Sequence, residues 1–287
     1  MVGAVSRLAL LTGCPRSGTS ILGELVATLE GVDYRFEPGH PWWPWGHGIG
    51  AGGAGSDRLT ERDVVHARQA RAWLAGQAGP LVVEKSPRMV IATRLHRTIF
   101  PESKIVVIVR HPLDVACSLV PGLSAEPGAR GQIDWHHIRV PSWPRLLDDY
   151  KPGPLRGAHV WAEASRLLRE DLGGRVARYD TGRLAPGAVD HYAVRYEDLL
   201  RDPVMTLQGI AGYLEAPLTR ESISACRSVV DRPGLSEAAG QDRWHRPHAR
   251  HVGRWKDEIP EDQAEACWAA VAEEAGRWGY GRATLGA

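Results

Sequence analysis

Lysine is nearly absent from this sequence. Lys85, Lys104, Lys151 and Lys256 are the only lysines among 35 basic residues; the rest are arginine. With abundant Ala, Gly and Pro, that bias points to a GC-rich, bacterial genome, and it makes each remaining lysine worth locating. Excess charge of either sign is also absent, with 35 basic against 34 acidic residues and a net charge of +1. No bulk field therefore argues for a nucleic-acid or membrane-surface partner, and any anion site must be local. Cysteine is sparse and scattered, at Cys14, Cys117, Cys226 and Cys267 with no C-x-x-C pair. That excludes a disulfide framework and fits reduced thiols in a cytoplasmic protein. No apolar run approaches the ~18 residues of a membrane span. The opening "MVGAVSRLALLTG" has only a short apolar run that enters a glycine loop at once. Cleavage there would destroy the loop, so the segment is expected to be structure and not a leader. The 287 residues suffice for a large α/β unit, and with no linker or internal repeat we expect a single domain over 1–287.

What is there begins with "TGCPRSGTS", Thr12–Ser20. It has the outline of a phosphate loop, Gly13-x-x-x-x-Gly18, but a nucleotide kinase carries Lys where Thr19 stands. The only charge in the loop is Arg16. The preceding Arg7–Thr12 reads as a buried strand. Ser17–Glu30 reads as a helix with Ile21, Leu22, Leu25, Val26 and Leu29 on one face, ended by Gly31. A strand, glycine loop and helix in that order offer backbone N–H groups and a positive dipole end to a phosphate or sulfate.

Further strands are predicted at Pro80–Glu84, Lys104–Val109 and Tyr192–Tyr196. "KIVVIV" is apolar on both faces, as a central strand of a parallel sheet must be. Helices are predicted over Thr60–Ala75, Pro87–Phe100, Pro112–Leu119, Ala158–Leu172, the stretch ending at Leu214, Thr219–Val229 and Glu261–Trp278. The alternation predicts an α/β fold of three layers with a central parallel sheet and a P-loop-like phosphate-binding loop. Pro38–Ser56, Pro121–Pro154 and the basic Gly234–Lys256 read as irregular.

Lys85 ends the second predicted strand and Arg110 the third, at the sheet edge where open parallel sheets bind ligands. Lys85 is either a surface lysine or a point charge for a departing oxygen. Arg110, with Ser118 eight residues on, is either a loop cation beside a polar helix residue or a grip for a second phosphate. His245, His248 and His251 share a spacing that needs a helix face, but Pro247 interrupts it and no carboxylate or cysteine stands close by. We therefore expect no metal there.

"CPRSGTS" together with "VRHPLDVACSL" resembles the sulfotransferases that use 3′-phosphoadenosine 5′-phosphosulfate (PAPS). "VRYEDLLRDP" and "HVGRWKDEIP" resemble segments near the end of those enzymes, so the resemblance spans almost the whole chain. It implies that Pro15, Arg16, Ser17, Gly18, Thr19 and Ser20 cradle the 5′-phosphosulfate and that Arg110 and Ser118 hold the 3′-phosphate. Tyr196 would contact the adenosine end, and Arg246 with Gly253, Arg254 and Trp255 would close over the nucleotide. Ser236 corresponds loosely to a further cofactor contact. The "PRSGT" form is similar to the tyrosylprotein and related bacterial branches. These place a catalytic Glu about two dozen residues on, matched by Glu37, 21 positions after Arg16, and a Lys after the second strand, matched by Lys85. One departure is "LVPGL", where some relatives carry another Arg.

The resemblance implies sulfuryl transfer from PAPS to an acceptor hydroxyl without a metal, by in-line displacement at sulfur. Glu37 acts as general base. Arg16 and Lys85 stabilise the leaving phosphate. The missing loop lysine then has a reason, since PAPS has no γ-phosphate to hold. A turn carboxylate paired with Arg35 is the plainer reading of Glu37, and His40 and His47 are rival bases. Trp42, Trp43 and Trp45 either border a small-molecule or carbohydrate acceptor or pack beneath their loop. Two other functions remain open: a P-loop kinase, which would need Mg²⁺, and a non-catalytic PAPS- or nucleotide-binding module.

Overall fold

In the computed structural model, residues 7–38, 61–77, 79–123, 152–173, 191–231 and 252–282 are described. Their centre is a five-stranded, all-parallel sheet. The strands are β1 (Arg7–Thr12), β2 (Val32–Phe36), β3 (Leu81–Lys85), β4 (Lys104–Val109) and β5 (Tyr192–Arg195), in the order β2-β3-β1-β4-β5. Register runs Leu11 against Lys85 on one side of β1 and Leu11 against Val106 on the other.

Helices cover both faces, which explains why the inner strands read as continuous apolar runs. On one face Leu8, Leu10, Val82, Ile105 and Val107 pack with Leu113, Val115, Trp161, Leu168, Cys267 and Val271. Those residues come from α4 (Pro112–Leu123), α5 (Pro154–Asp171) and α10 (Glu261–Arg277). On the other face Ala9, Leu11, Val83, Val106 and Ile108 pack with Leu22, Leu25, Leu199, Leu207 and Cys226. These lie on α1 (Thr19–Val26), α6 (Tyr196–Arg201), α7 (Pro203–Leu214) and α8 (Arg220–Asp231). The expected three-layer α/β architecture is the one observed. Ile105, Val106, Val107 and Ile108 are completely buried, each contributing about 1.5–3 kcal/mol of apolar burial. The remaining helices are α2 (Glu61–Ala75), α3 (Thr93–Ile99) and the short α9 (Trp255–Glu258). All four cysteines are free and buried.

Several boundaries differ from expectation, each for a local reason. The edge strand β2 has no counterpart among the predicted strands, although "VDYRF" alternates apolar and charged residues as a half-exposed strand does. The helix predicted over Pro87–Phe100 is a 3₁₀ turn, Pro87–Ile91, followed by α3. Thr93 Oγ1 donates to the Met89 carbonyl at 2.9 Å at that junction, a side-chain bond that competes with regular helix. The helix predicted over Ser17–Glu30 is confined to Thr19–Val26. Helix α4 runs on through Pro121 to Leu123, and α5 begins at Pro154. The short helix α9 starts at Trp255, inside the end of the basic segment predicted as irregular, and runs past it to Glu258.

Candidate active site

The strand order locates the site. The chain leaves β1 toward β2 and β3, then crosses to β4 and continues outward to β5. The direction of winding thus reverses between β1 and β4, and the crevice beyond their C-terminal ends is where open parallel sheets bind ligands. The loop after β1 carries Gly13–Gly18, and the turn after β4 carries Arg110 and His111. The first loop packs directly on the end of β4: a Cβ at Gly13 would lie 2.2 Å from the Ile108 carbonyl oxygen.

The first loop ends in a cradle. Gly18 caps α1 at φ 99° with no side-chain hydrogen bond, and the first backbone bond of the helix is Leu22 N–H to the Gly18 carbonyl. The preceding N–H groups at the helix start therefore have no intrahelical acceptor. A Cβ at Gly18 would sit 2.4 Å from the Tyr196 ring, so both conformation and space demand glycine. Arg16 holds a left-handed backbone at φ 75°. Among the described residues, the buried Ser17 hydroxyl has no hydrogen-bond partner. An orphaned hydroxyl at a glycine-shaped helix start fits a phosphate or sulfate oxygen. Pro15 is half-buried in the same loop and Thr19 is buried beneath it.

Guanidinium groups gather at this cradle. Arg110 is almost fully buried, donates to the Arg16 carbonyl at 3.2 Å and lies over the Tyr196 ring at 4.7 Å. Arg16 Nε donates to Ser118 Oγ at 3.1 Å. Burial first, then the charges of Arg110 and Arg254, push the Arg16 guanidinium down to about 9. Like charges that act on the buried Arg16 guanidinium store repulsion that an anion would relieve. Burial raises the Tyr196 phenol to about 12, so it stays neutral.

On the far side of the loop stand Lys85 and Glu37. Lys85 is buried at the end of β3; the surface-lysine alternative does not apply. Its ammonium donates to Glu37 Oε1 at 2.6 Å and to Ser20 Oγ at 3.2 Å, and lies 3.7 Å from the Phe36 ring centroid. Burial lowers the Lys85 pKa, and the Glu37 carboxylate opposes that shift. Glu37 continues the β2–β3 pairing by donating its N–H to the Lys85 carbonyl at 2.8 Å, with φ 42°. Its side chain stays 47% exposed, so the carboxylate is reachable from solvent while Lys85 is not. Arg35 pairs with Asp33 at 2.7 Å, which corrects the alternative that it pairs with Glu37.

The C-terminal segment reaches this region through residues the sequence reading did not single out. Asp114 accepts from the N–H groups of Gly253 and Trp255, at 2.8 and 3.2 Å. Glu197 accepts from the His111 N–H at 2.9 Å and from the Tyr280 hydroxyl at 2.8 Å. The His111 ring stacks on Trp255 and Trp268, and burial pushes it down to about 4, leaving it neutral. The overlooked signal was an acidic residue inside each quoted motif: Asp114 in "HPLD", within a continuously buried stretch, and Glu197 in "RYED", beside the buried Tyr196. Arg246, Ser236, His40, His47, the three histidines 245, 248 and 251, and the tryptophans of residues 41–48 lie outside the described residues. Among the described residues no cluster of three or more His, Cys, Asp or Glu could hold a metal ion. No helix there is long and apolar enough to cross a membrane.

A parallel α/β sheet with a phosphate loop at its switch point defines the general class. No family model and no curated protein matches the sequence. Among solved structures, a sulfotransferase domain from the curacin biosynthetic pathway matches with a TM-score of 0.57. It covers 97% of this chain and 99% of its own at 16% identity. A mouse sulfotransferase complexed with PAP gives 0.47 at 15% identity, covering 96% of this chain and 86% of its own. Retinol dehydratase in complex with retinol and PAP gives 0.48 at 16% identity, covering 96% of this chain and 82% of its own. This chain has the sulfotransferase fold.

Proposed function

We propose that the protein transfers a sulfuryl group from PAPS to the hydroxyl of a small-molecule or carbohydrate acceptor. The observation that carries this reading is the gathering of Arg16, Arg110 and Arg254 around the start of α1, beside the unpartnered Ser17 hydroxyl. A cradle with that much fixed positive charge suits a ligand with two separate anionic groups. Residues Pro15–Ser20 hold the 5′ end of the nucleotide. Arg110, Ser118 and Arg254 hold its 3′-phosphate, Tyr196 lies along the nucleoside, and Gly253 and Trp255 carry the covering segment. Arg16 serves both ends, since its backbone belongs to the loop and its Nε reaches Ser118.

Glu37 is the general base. Its exposed carboxylate takes the acceptor's proton as the acceptor oxygen forms a bond to sulfur. The bond from sulfur to the 5′-phosphate oxygen breaks, and its electron pair stays on that oxygen. Lys85, between Glu37 and Ser20, stabilises the charge that appears there, and Arg16 adds to it. The ion pair also keeps Glu37 aimed at the loop, because the same ammonium bonds Ser20. Binding and chemistry need no metal ion in this scheme.

Calorimetry with adenosine 3′,5′-bisphosphate, set against ATP with Mg²⁺, tests the reading. Metal-independent binding of the bisphosphate, with ATP much weaker, is expected. Preference for ATP with Mg²⁺ would move the site to a kinase. Bisphosphate binding without any transfer to a panel of phenols, alcohols and sugars would leave a nucleotide-binding module.

A further inference from the structure

Asp114 is fully buried in the first turn of α4, where Leu113, Val115, Ala116 and Cys117 around it are apolar or nearly so. Its oxygens are divided between two donors from a segment distant in sequence. Oδ2 accepts from Gly253 N–H and Oδ1 from Trp255 N–H, at 2.8 and 3.2 Å. Oδ2 also lies 3.8 Å from Arg110 Nη2. The two donors flank Arg254, whose charge is one of those acting on Arg16 and whose guanidinium is braced by Glu258 at 2.6 Å. Stacking on His111 already holds the Trp255 ring. The carboxylate adds something packing does not: a fixed backbone direction through residues 253–255. Burial raises the Asp114 pKa, while Arg110 and the two N–H groups oppose that shift.

A buried negative charge next to an anion site works against anion binding by simple Coulomb repulsion. It belongs there only if what it positions outweighs what it repels. We propose that Asp114 is a positioning residue for the anion site: by gripping the backbone on both sides of Arg254, it holds that guanidinium beside Arg16 and Arg110. The inference rests on the nucleotide reading above for the identity of the ligand.

The sign of the effect separates positioning from charge. In calorimetry with adenosine 3′,5′-bisphosphate, Asp114→Asn should bind about tenfold more weakly, the scale of one charge-assisted hydrogen bond. Amide exchange should show lost protection at Gly253 and Trp255, with β1 and β4 unchanged. Equal or tighter binding by Asp114→Asn is what loss of a repelling charge alone produces, and that result overturns the proposal. Arg254→Gln, a change at a half-buried site, supplies a second variant. It should weaken binding by a similar factor, and adding Asp114→Asn to it should cost little more. Fully additive losses would also overturn the proposal. If the wild type binds no bisphosphate, the nucleotide reading fails, and the same series run with inorganic pyrophosphate tests the clamp by itself.

Discussion

The two ends of the candidate site are built differently. At the anion end, Arg110 is buried, stacks on Tyr196, bonds the Arg16 carbonyl and faces a fully buried Asp114. Arg110 is thus held from several directions. At the other end, Glu37 is half exposed, sits on a left-handed backbone at the tip of an edge strand, and has its carboxylate fixed by Lys85. The anion end has the build of a site that must recognise a fixed shape. The Glu37 end has the build of one that must meet a second molecule and exchange a proton with it. The lysine beside it is shielded, so its positive charge is stored under Glu37 and not displayed to solvent.

Mutations that remove one end without the other would sharpen this contrast. The largest effect is expected for Glu37→Gln, which should lower turnover by about 10²–10⁴-fold while leaving bisphosphate affinity nearly unchanged. Single-turnover assays with calorimetry on the same variant check it; normal turnover would remove Glu37 as the base. At the anion end the pattern should reverse. Arg110→Ala should weaken adenosine 3′,5′-bisphosphate by about 10–100-fold, and adenosine 5′-phosphate much less. Equal losses for the two ligands would refute the 3′-phosphate assignment.

Smaller effects probe the cradle itself. Gly18→Ala forces a Cβ to 2.4 Å from the Tyr196 ring at a φ of 99°, and should destabilise the fold by about 1–3 kcal/mol in thermal or denaturant unfolding. An alanine tolerated without cost would show that the loop is not constrained as described. The mildest probe is pH. Arg16 is held down to about 9, so bisphosphate affinity should fall as pH rises through about 9 and the guanidinium loses its proton. Folding responds in the opposite sense. Between about 9 and the ordinary guanidinium range the unfolded chain binds more protons than the folded one, so this group's contribution to stability rises with pH. Affinity and stability curves that fall together across that window would point away from Arg16.

Much of the architecture was legible from the chain alone. β1, β3 and β4 announce themselves because strands buried on both faces must be apolar throughout, and β5 follows the same logic more weakly. The loop was legible because a left-handed turn against a neighbouring ring requires glycine at position 18. Lys85 stood out because it ends a predicted strand at the edge where parallel sheets bind ligands, and because lysine is so rare here. The edge strand β2 escaped because half exposure dilutes its pattern with Asp33 and Arg35. The break at Ala92 escaped because a threonine side chain settles it locally, which residue counting does not register.

The sequence by itself determined the alternation of strands and helices, the phosphate loop and the residues at the strand ends, since these follow from local periodicity and backbone sterics. Only the tertiary structure decided their partners. It turned Glu37 from Arg35 to Lys85, set Arg16 on Ser118 across 102 positions, and brought Gly253 and Trp255 onto Asp114 across 139 and 141. The physical reason is that burial fixes which side of a strand or helix a residue occupies. Which distant charge it then meets depends on the order in which strands enter the sheet, and that order is a property of the packed whole.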